Sequence, residues 1–504
     1  MACLLLGIDV GTSSCKVTLF DEGGQPVSQA GSDFQVLRPH SGWAEQDPNE
    51  WWEGVASSVR TAIERSGADA GDIAGVGVDG QSWSAIPVDK GGEVLANTPI
   101  WMDMRAKEIC AEVCARVGEQ AIFDLCGNPF TPSYTTPKIL WFRRERPEVY
   151  RKTHRILQSN SFIVLRLTGK FSHDMSQGYG LHFFDMRKCS LDSGMAAELG
   201  VDPDLIPPLF ASHEVVGGVT PAAAALTGLT EGTPVVAGGL DASCGTLGAG
   251  VISHGQTQEQ GGQAGGMSIC VEDYRAEPRL ILSPHVVPDR WLLQGGSVGG
   301  GGVLKWFDAE FGGAVCAASG GGIATFADMD REAAVVPAGS DGLVFLPYMS
   351  GERSPIWDER AKGVWFGIDY TKTRGHFIRA CMEGVAYSLL HNLETALEAG
   401  AEVDELRSVG GGAKSALWSQ IKADVTGRPV AVMSADMATS MGAAMLAGIG
   451  TGVYPGFAEA AEVFVKQGKR YEPDESRAEN YGRGYRAYRA LYEQLKGIMH
   501  GEIL

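Results

Sequence analysis

The chain has 504 residues, too many for a single hydrophobic core, so its length predicts at least two domains. Hydrophobic residues make up 44% and charged residues 20%, proportions that exclude a mainly disordered chain. The net charge of −19 disfavours nucleic acid and membranes as partners, and the sparse, scattered cysteines favour a cytoplasmic protein with reduced thiols.

Alternating segments and turn residues predict a first α/β unit. A β-hairpin is expected over Leu4–Phe20, and Asp47-Pro48 supplies the N-cap and first-turn proline of a helix that should end before Gly67. Further along, we expect a pair of strands at 73–79 and 83–88, a helix at 104–117 and a strand at 233–237.

The strand pattern restarts after Val251, which predicts a second α/β unit. Its expected strands lie near 257–271, 291–294 and 342–346, and its expected helices at 376–397, 415–426 and 479–499. We therefore place the domain boundary near residue 252, giving domains 1–252 and 253–504 with a ligand-binding cleft between them.

Asp9 is the first candidate functional residue. It stands at a predicted strand end in Gly7-Ile8-Asp9-Val10-Gly11-Thr12-Ser13-Ser14, with Lys16 two residues further on. A carboxylate there can hold hydrated Mg²⁺, and the N–H groups and hydroxyls of a glycine turn can bind phosphate. An ordinary Asp-Gly hairpin turn explains the same string, so the motif alone leaves both interpretations open.

Asp241 follows another predicted strand end, in Gly238-Gly239-Leu240-Asp241-Ala242-Ser243. One aspartate at the bottom of a cleft can accept the proton of an alcohol that attacks a phosphoryl group. The alternative is a helix N-cap, and the two roles are compatible in one residue.

Glycine-rich strings mark two further regions. Residues 408–415 predict a strand, a glycine turn and a helix start, a pattern that lets a flat base or a phosphate approach the backbone; a plain connection is the alternative. Gly75, Gly77 and Gly80 spell GxGxxG, but a strand rather than a helix is predicted to follow, which disfavours dinucleotide binding.

Several longer strings resemble the FGGY family of carbohydrate kinases. They are Trp43-Ala44-Glu45-Gln46-Asp47-Pro48 with Trp51-Trp52, Pro137-Lys138-Ile139-Leu140-Trp141, the segment 345–355 and the glycines at 410–412. The likeness runs nearly end to end, and its motifs are most similar to those of the xylulokinases. Ordered motifs of this length do not recur by chance.

The resemblance implies an actin-like ATPase fold of two ribonuclease-H-like domains. It implies an enzyme that uses ATP and Mg²⁺ to phosphorylate a hydroxyl of a small sugar or polyol, such as the pentulose D-xylulose, and that forms homodimers in many relatives. Asp241 would be the catalytic base and Asp9 the metal-site carboxylate. The remaining expected contacts are Gln81, Ser82, Trp83, Asp103 and Arg105 for the sugar, and Thr12, Ser13, Lys16, Gly262, Gln263, Gly410, Gly411, Gly412 and Ser415 for the nucleotide.

Three departures from the xylulokinase pattern fall at the expected site. Trp83 stands where that branch has histidine, and Ala242 where it has asparagine. Because a sugar site discriminates by pairing hydroxyls, these changes leave the identity of the sugar open. Gln263-Ala264 replaces the Thr-Ser of the second phosphate turn, which removes two hydroxyls and keeps an amide donor.

Two other functions are compatible with the fold. A sugar-binding or regulatory protein without phosphotransfer would explain Trp83 and the altered turn, but it would not need both Asp9 and Asp241. An actin-like or chaperone ATPase would not need a base beside a polar pocket. Glu352 and Arg353 are further polar candidates, for which an ion pair that fixes the interdomain surface is an equally good interpretation.

Overall fold

The computed structural model describes residues 3–312, 326–434 and 437–502. In this part of the chain, each half contributes one seven-stranded sheet. The first half contains strands β1 (Leu4–Val10), β2 (Ser14–Asp21), β3 (Pro26–Asp33), β4 (Glu45–Gln46), β5 (Ile73–Gly80), β6 (Ile86–Val88), β7 (Thr98–Pro99), β8 (Arg155–Leu157), β9 (His173–Asp174), β10 (Phe184–Asp185), β11 (Ser190–Leu191), β12 (Leu209–Phe210), β13 (Val215–Gly218), β14 (Pro234–Val236) and β15 (Gly239–Leu240). Its helices are α1 (Pro48–Ser66), α2 (Lys107–Val117), α3 (Glu119–Cys126), α4 (Thr135–Glu145), α5 (Pro147–Lys152), α6 (Ser159–Thr168), α7 (Ser193–Leu199), α8 (Pro221–Thr227) and α9 (Asp241–Gly248).

The first sheet has the order β13-β14-β5-β1-β2-β3, and β15 also pairs with β5. Strands β1, β2 and β3 pair antiparallel, which confirms the expected hairpin, whereas β1, β5 and β14 run parallel. All seven residues of β1 are buried, as its apolar sequence requires of a central strand covered on both faces. The expected helix after Asp47-Pro48 is α1, capped by the Asp47 side chain.

The predicted strand at 83–88 is wrong in its extent and partner. Only Ile86–Val88 is a strand, and it pairs with β8 instead of β5. Trp83 adopts a φ of 59°, a left-handed conformation that a bulky residue rarely takes and that is incompatible with a strand. The chain therefore leaves the first sheet at residue 81 and forms a loop there.

The second half repeats the same plan. Its strands are β16 (Gln256–Gly261), β17 (Gly265–Val271), β18 (Ile281–Pro284), β19 (Trp291–Ser297), β20 (Val344–Leu346), β21 (Val364–Phe366), β22 (Glu405–Val409), β23 (Val430–Met433) and β24 (Gln467–Tyr471). Its described helices are α10 (Gly301–Phe311), α11 (Phe326–Ala334), α12 (Arg374–Glu398), α13 (Ala416–Thr426), α14 (Ala438–Gly450), α15 (Phe457–Phe464) and α16 (Ala478–Met499).

The second sheet has the order β18-β19-β17-β16-β22-β23-β24. As in the first sheet, three neighbouring strands pair antiparallel (β19, β17 and β16). Strands β22 and β23 come next in the sheet and run parallel to β16, which is the first of these strands in the chain. This shared order is the one expected of two ribonuclease-H-like units.

Helix α14 belongs to the second half of the chain but packs on β1 and β5 of the first sheet. Glycines make this contact possible, because a Cβ atom on Gly7 or Gly77 would lie 1.9 Å from a backbone oxygen of α14, that of Ser440 or Ala443. The close approach places Thr439, near the start of α14, beside Asp9.

No helix in the described ranges has the length and apolarity that a bilayer crossing requires. The cysteines that the structure describes are all free of disulfide bonds.

Candidate active site

Three acidic residues lie next to one another at the carboxyl ends of adjacent strands in the first sheet. Asp9 of β1 stands directly opposite Asp79 of β5, and Asp79 stands opposite Gly239 of β15, two residues before Asp241. Because adjacent strands are about 4.8 Å apart, the backbones of Asp9 and Asp241 are separated by on the order of 10 Å. Asp9 and Asp241 thus lie at the same end of the sheet, on either side of Asp79.

Asp9 is buried, and one of its oxygens accepts a hydrogen bond of 2.9 Å from the Thr439 hydroxyl. Burial raises its pKa, while the charge of Lys16, its neighbour on β2, acts in the opposite direction. Lys16 and Ser13 are exposed beside this carboxylate.

Asp79 is fully buried, and in the described part of the chain no group other than the Asp9 carboxyl comes within hydrogen-bonding reach of its oxygens. Burial, followed by the charges of Asp9 and Asp241, raises its pKa well above the usual value for aspartate. Sequence analysis missed this residue, since the GxGxxG string drew attention to its glycines. An aspartate at the end of a strand parallel to β1 was the signal that could have found it.

Asp241 is the first residue of α9 and is partly buried. The N-cap position belongs to Leu240, so the N-cap interpretation of Asp241 is wrong. Its Oδ1 accepts a hydrogen bond of 2.6 Å from the N–H of Ala242. Burial and then the charge of Asp9 raise its pKa to about 7. A carboxylate with this pKa can act as a base near neutral pH.

Aromatic rings form a wall near Asp241. The Trp83 indole stacks on Tyr134, with ring centres 4.1 Å apart, and packs against Tyr179 at 5.4 Å. Tyr179 lies close enough to Asp241 for that charge to contribute to its raised pKa. The indole N–H of Trp83 is buried without a described acceptor, so this wall offers an unused donor.

Two glycine turns of the second sheet lie against each other. The turn at 261–265 joins β16 to β17, and a Cβ atom on Gly412 would lie only 3.1 Å from the oxygen of Gly261. Gly410 has a φ of 86°, and nothing lies within 4 Å of a Cβ position on Gly411. The structure thus brings together Gly262, Gln263 and Gly410–Gly412, five of the residues predicted for the nucleotide.

Comparisons with known proteins decide the family. The model of the FGGY carbohydrate kinase N-terminal domain matches residues 4–248, and the model of the C-terminal domain matches residues 272–451. The chain belongs to the FGGY family of carbohydrate kinases. Its function is therefore the ATP-dependent phosphorylation of a sugar, and the alternative of binding without phosphotransfer is not favoured.

Individual relatives agree with the family models along nearly the whole chain. The xylulose kinase of Bacillus subtilis is 30% identical over 496 residues, which are 98% of this chain and 97% of that protein. The xylulose kinase of Escherichia coli is 30% identical over 499 residues, 98% of this chain and 100% of that protein. The crystal structure of xylulose kinase from Rhodospirillum rubrum has a TM-score of 0.89 at 32% identity, covering 99% of this chain and 100% of that one. These matches confirm the actin-like fold of this kinase.

Several predicted sugar and nucleotide contacts of the kinase already have partners within the protein. Gln81 donates to Gln46 and accepts from the Thr12 hydroxyl, which itself accepts from the Trp101 indole. Ser415 caps α13 and donates to Asp330, so its hydroxyl is used locally. Direct ligand contacts by these side chains stay predictions.

Asp103 and Arg105 form a buried ion pair of 2.8 Å that also includes Glu45. The Arg105 guanidinium lies 3.7 Å from the ring centre of Trp43. These contacts fix the loop between β7 and α2, and contact with a sugar stays a prediction here as well.

Lys138 holds the loop of the kinase that carries Trp83. It is buried, and its ammonium group donates to the backbone oxygens of Trp83 at 2.7 Å and Ser133 at 2.5 Å. Burial lowers its pKa to about 7. The sequence marked Lys138 as part of a family motif but gave no signal for this contact.

The residues at Asp9 fit a magnesium ion that arrives with ATP. In the described ranges, no three acidic, histidine or cysteine side chains cluster closely enough to hold a metal by themselves. Mg²⁺ in such enzymes usually takes one or two protein carboxylates and completes its shell with phosphates and water. Asp9, with the buried Asp79 carboxyl beside it, supplies that chemistry.

Proposed function

We propose that this kinase transfers the γ-phosphoryl group of ATP to a hydroxyl of a pentulose, with D-xylulose as the first candidate, and that Asp241 is the catalytic base. The observation that carries the proposal is the position of Asp241, one strand beyond Asp79 and beside the aromatic wall, with a pKa raised to about 7. The xylulose kinase relatives support the choice of sugar.

In this proposal, Asp241 takes the proton of the attacking hydroxyl. Its Oδ1 is held by the N–H of Ala242, which leaves Oδ2 to accept the proton. The substrate oxygen then bonds to the γ-phosphorus in line with the departing ADP oxygen. A base with a pKa near the working pH combines a sufficient deprotonated fraction with adequate basicity.

The nucleotide would lie on the opposite side of the cleft, with its phosphates at the turn 261–265 and its base near Gly410–Gly412. Backbone N–H groups and the Gln263 amide can donate to phosphate oxygens there. Asp9 would hold Mg²⁺, whose charge offsets that of the phosphate oxygens when it is bound. Thr12, Ser13 and Lys16 line the first-domain turn beside it.

We propose the domain boundary, the location in the cell, the oligomeric state and the group that selects the sugar on the same basis. We place the boundary between the sugar-binding and nucleotide-binding domains near residue 252, between β15 and β16. We also propose that the kinase works in the cytoplasm and forms homodimers. The Trp83 indole N–H, which has no acceptor among the described residues, is the group we expect to select the sugar by donating to a hydroxyl.

A substrate screen tests the proposal. ADP release is measured with MgATP and a panel of pentuloses and polyols, in the wild type, in Asp241→Asn and in Asp273→Asn, which changes an exposed aspartate in the same way. We expect D-xylulose to stimulate release in the wild type and in Asp273→Asn, and a loss of about 10²–10⁴-fold in Asp241→Asn. Equal rates for Asp241→Asn and the wild type, or no stimulation by any sugar, would refute it.

A further inference from the structure

A cavity of about 770 Å³ opens between the two halves of the chain. Trp83 and Tyr134 of the aromatic wall line it on one side, and Val298 and Arg353 line it on the other. It therefore joins the proposed sugar pocket to the second domain.

The charge of the neighbouring Glu352 acts on the Arg353 guanidinium without forming an ion pair with it. In the described ranges, this guanidinium forms no hydrogen bond and no ion pair; it lies against Gly296, where a Cβ atom would be 3.0 Å from its Cζ. The expected ion pair with Glu352 does not form, because the Glu352 oxygens accept instead from the Ser297 hydroxyl and from the N–H groups of Val298 and of Arg353 itself. The side chain is partly buried, and burial lowers its pKa.

The backbone that the Arg353 side chain contacts adjoins the turn at 261–265, which we propose binds the phosphates of ATP. Gly296 of β19 pairs with Gly266 of β17, directly after the turn at 261–265. The guanidinium thus lies against the strand pair that follows this turn, and it lines the same cavity as Trp83. An unpaired guanidinium in a partly buried position favours an anion with several oxygens, because its planar donors match a phosphate group.

The charges of the first domain also favour a cation from the second domain near the transferred phosphoryl group. Asp9, Asp79 and Asp241 place three carboxyl groups at the point of transfer, with Lys16 as the nearby cation. A triphosphate adds further negative charge, which a cation from the second domain would offset.

We propose that Arg353 is a further catalytic residue, which binds the oxygens of the phosphoryl group while it moves from ATP to the sugar. The inference rests on the proposed function. The bond from the substrate oxygen to the γ-phosphorus forms as the bond to the bridging oxygen of ADP breaks. The electron pair leaves with ADP, and the substrate proton goes to Asp241. Arg353 exchanges no proton and stabilises the charge on the transferred group.

Arg353→Met tests this role, because methionine keeps the apolar stem and removes the charge. We expect kcat for D-xylulose to fall about 10²–10³-fold, as for loss of one transition-state donor, with little change in the sugar KM. Arg353→Lys should restore part of the loss. Arg360→Met is the matched control, since Arg360 lines the same cavity but is exposed and bonds to His500.

A binding readout separates catalysis from structure. By calorimetry, the phosphorylated product isolated from the wild-type reaction should bind Arg353→Met at least about tenfold more weakly, whereas free D-xylulose should bind equally. If Arg353→Met keeps the kcat and the product affinity of the wild type, the inference is wrong, but the proposed sugar kinase activity is unaffected. A wild type that makes no phosphosugar would instead overturn the proposed function, and the inference with it.

If Arg353→Met does not fold, Gly296→Ala provides the second test. The added methyl group would displace the guanidinium without removing its charge, because it would meet Cζ at 3.0 Å. We expect kcat to fall at least about fivefold in the folded variant. An unchanged kcat in Gly296→Ala would overturn the inference.

Discussion

Activity of this kinase should fall as the pH drops below about 7, because Asp241 must be deprotonated to accept the substrate proton. Burial raises the pKa of this carboxyl to about 7, and the charge of Asp9 adds to the effect. With that pKa, about half of the molecules carry the base at pH 7, about a tenth at pH 6 and about a hundredth at pH 5. The logarithm of kcat/KM should therefore rise with a slope near one up to pH 7 and then level off.

The assay is the initial rate of ADP formation at low sugar concentration between pH 5 and pH 9, with direct measurement of the phosphosugar at both ends of the range. The matched variant is Asp241→Asn, whose residual rate should not change across the acid limb because the amide does not titrate. A wild-type profile that stays flat down to pH 5 would refute the assignment of the base. So would an acid limb with a midpoint near 7 that persists in Asp241→Asn.

The remaining predictions concern the residues that support the site. Gly77→Ala should lower the free energy of unfolding by about 1–3 kcal/mol or more, because its methyl group would lie 1.9 Å from a backbone oxygen of α14. The control Gly482→Ala should change it by less than about 1 kcal/mol, because its methyl group would meet only the end of the Arg486 side chain, at an ordinary 3.5 Å; urea unfolding measures both. Lys422→Met should cost about 3–5 kcal/mol in the same assay, because it leaves the Glu259 carboxylate buried without its partner at 2.7 Å, and a loss below about 1 kcal/mol would contradict this. Lys138→Met should raise the sugar KM and leave the KM for ATP unchanged, because the partly buried backbone carbonyls of Trp83 and Ser133 lose their donor; equal increases in both constants would contradict it.

The sequence was sufficient for the elements with strong local signals. The hairpin of β1 and β2 and helix α1 follow from alternation, from the Asp47 cap and from Gly67, all of which act within a few residues. The strand predicted at 83–88 failed because the conformation of Trp83 is determined by contacts with Tyr134 and Lys138, which are distant in the chain.

The candidate site shows the same limit. Asp9 and Asp241 could be singled out because each lies at or just past a strand end beside family-like neighbours. Asp79 also ends a predicted strand, but its position opposite Asp9 followed only from the parallel register of β1 and β5. That Glu352 does not form an ion pair with Arg353 was likewise not predictable, since the two are neighbours in the sequence and only the structure shows that the Glu352 oxygens bond elsewhere.

The central claim is that Asp241 deprotonates a sugar hydroxyl for phosphoryl transfer, and a single-turnover experiment tests it most directly. Enzyme in excess over γ-labelled ATP is mixed with MgCl₂ and D-xylulose, and label in the phosphosugar is followed over time for the wild type and Asp241→Asn. We predict rapid transfer in the wild type and a rate at least about 100-fold lower in Asp241→Asn, with ATP binding unchanged. Transfer at the same rate in both proteins would contradict the account.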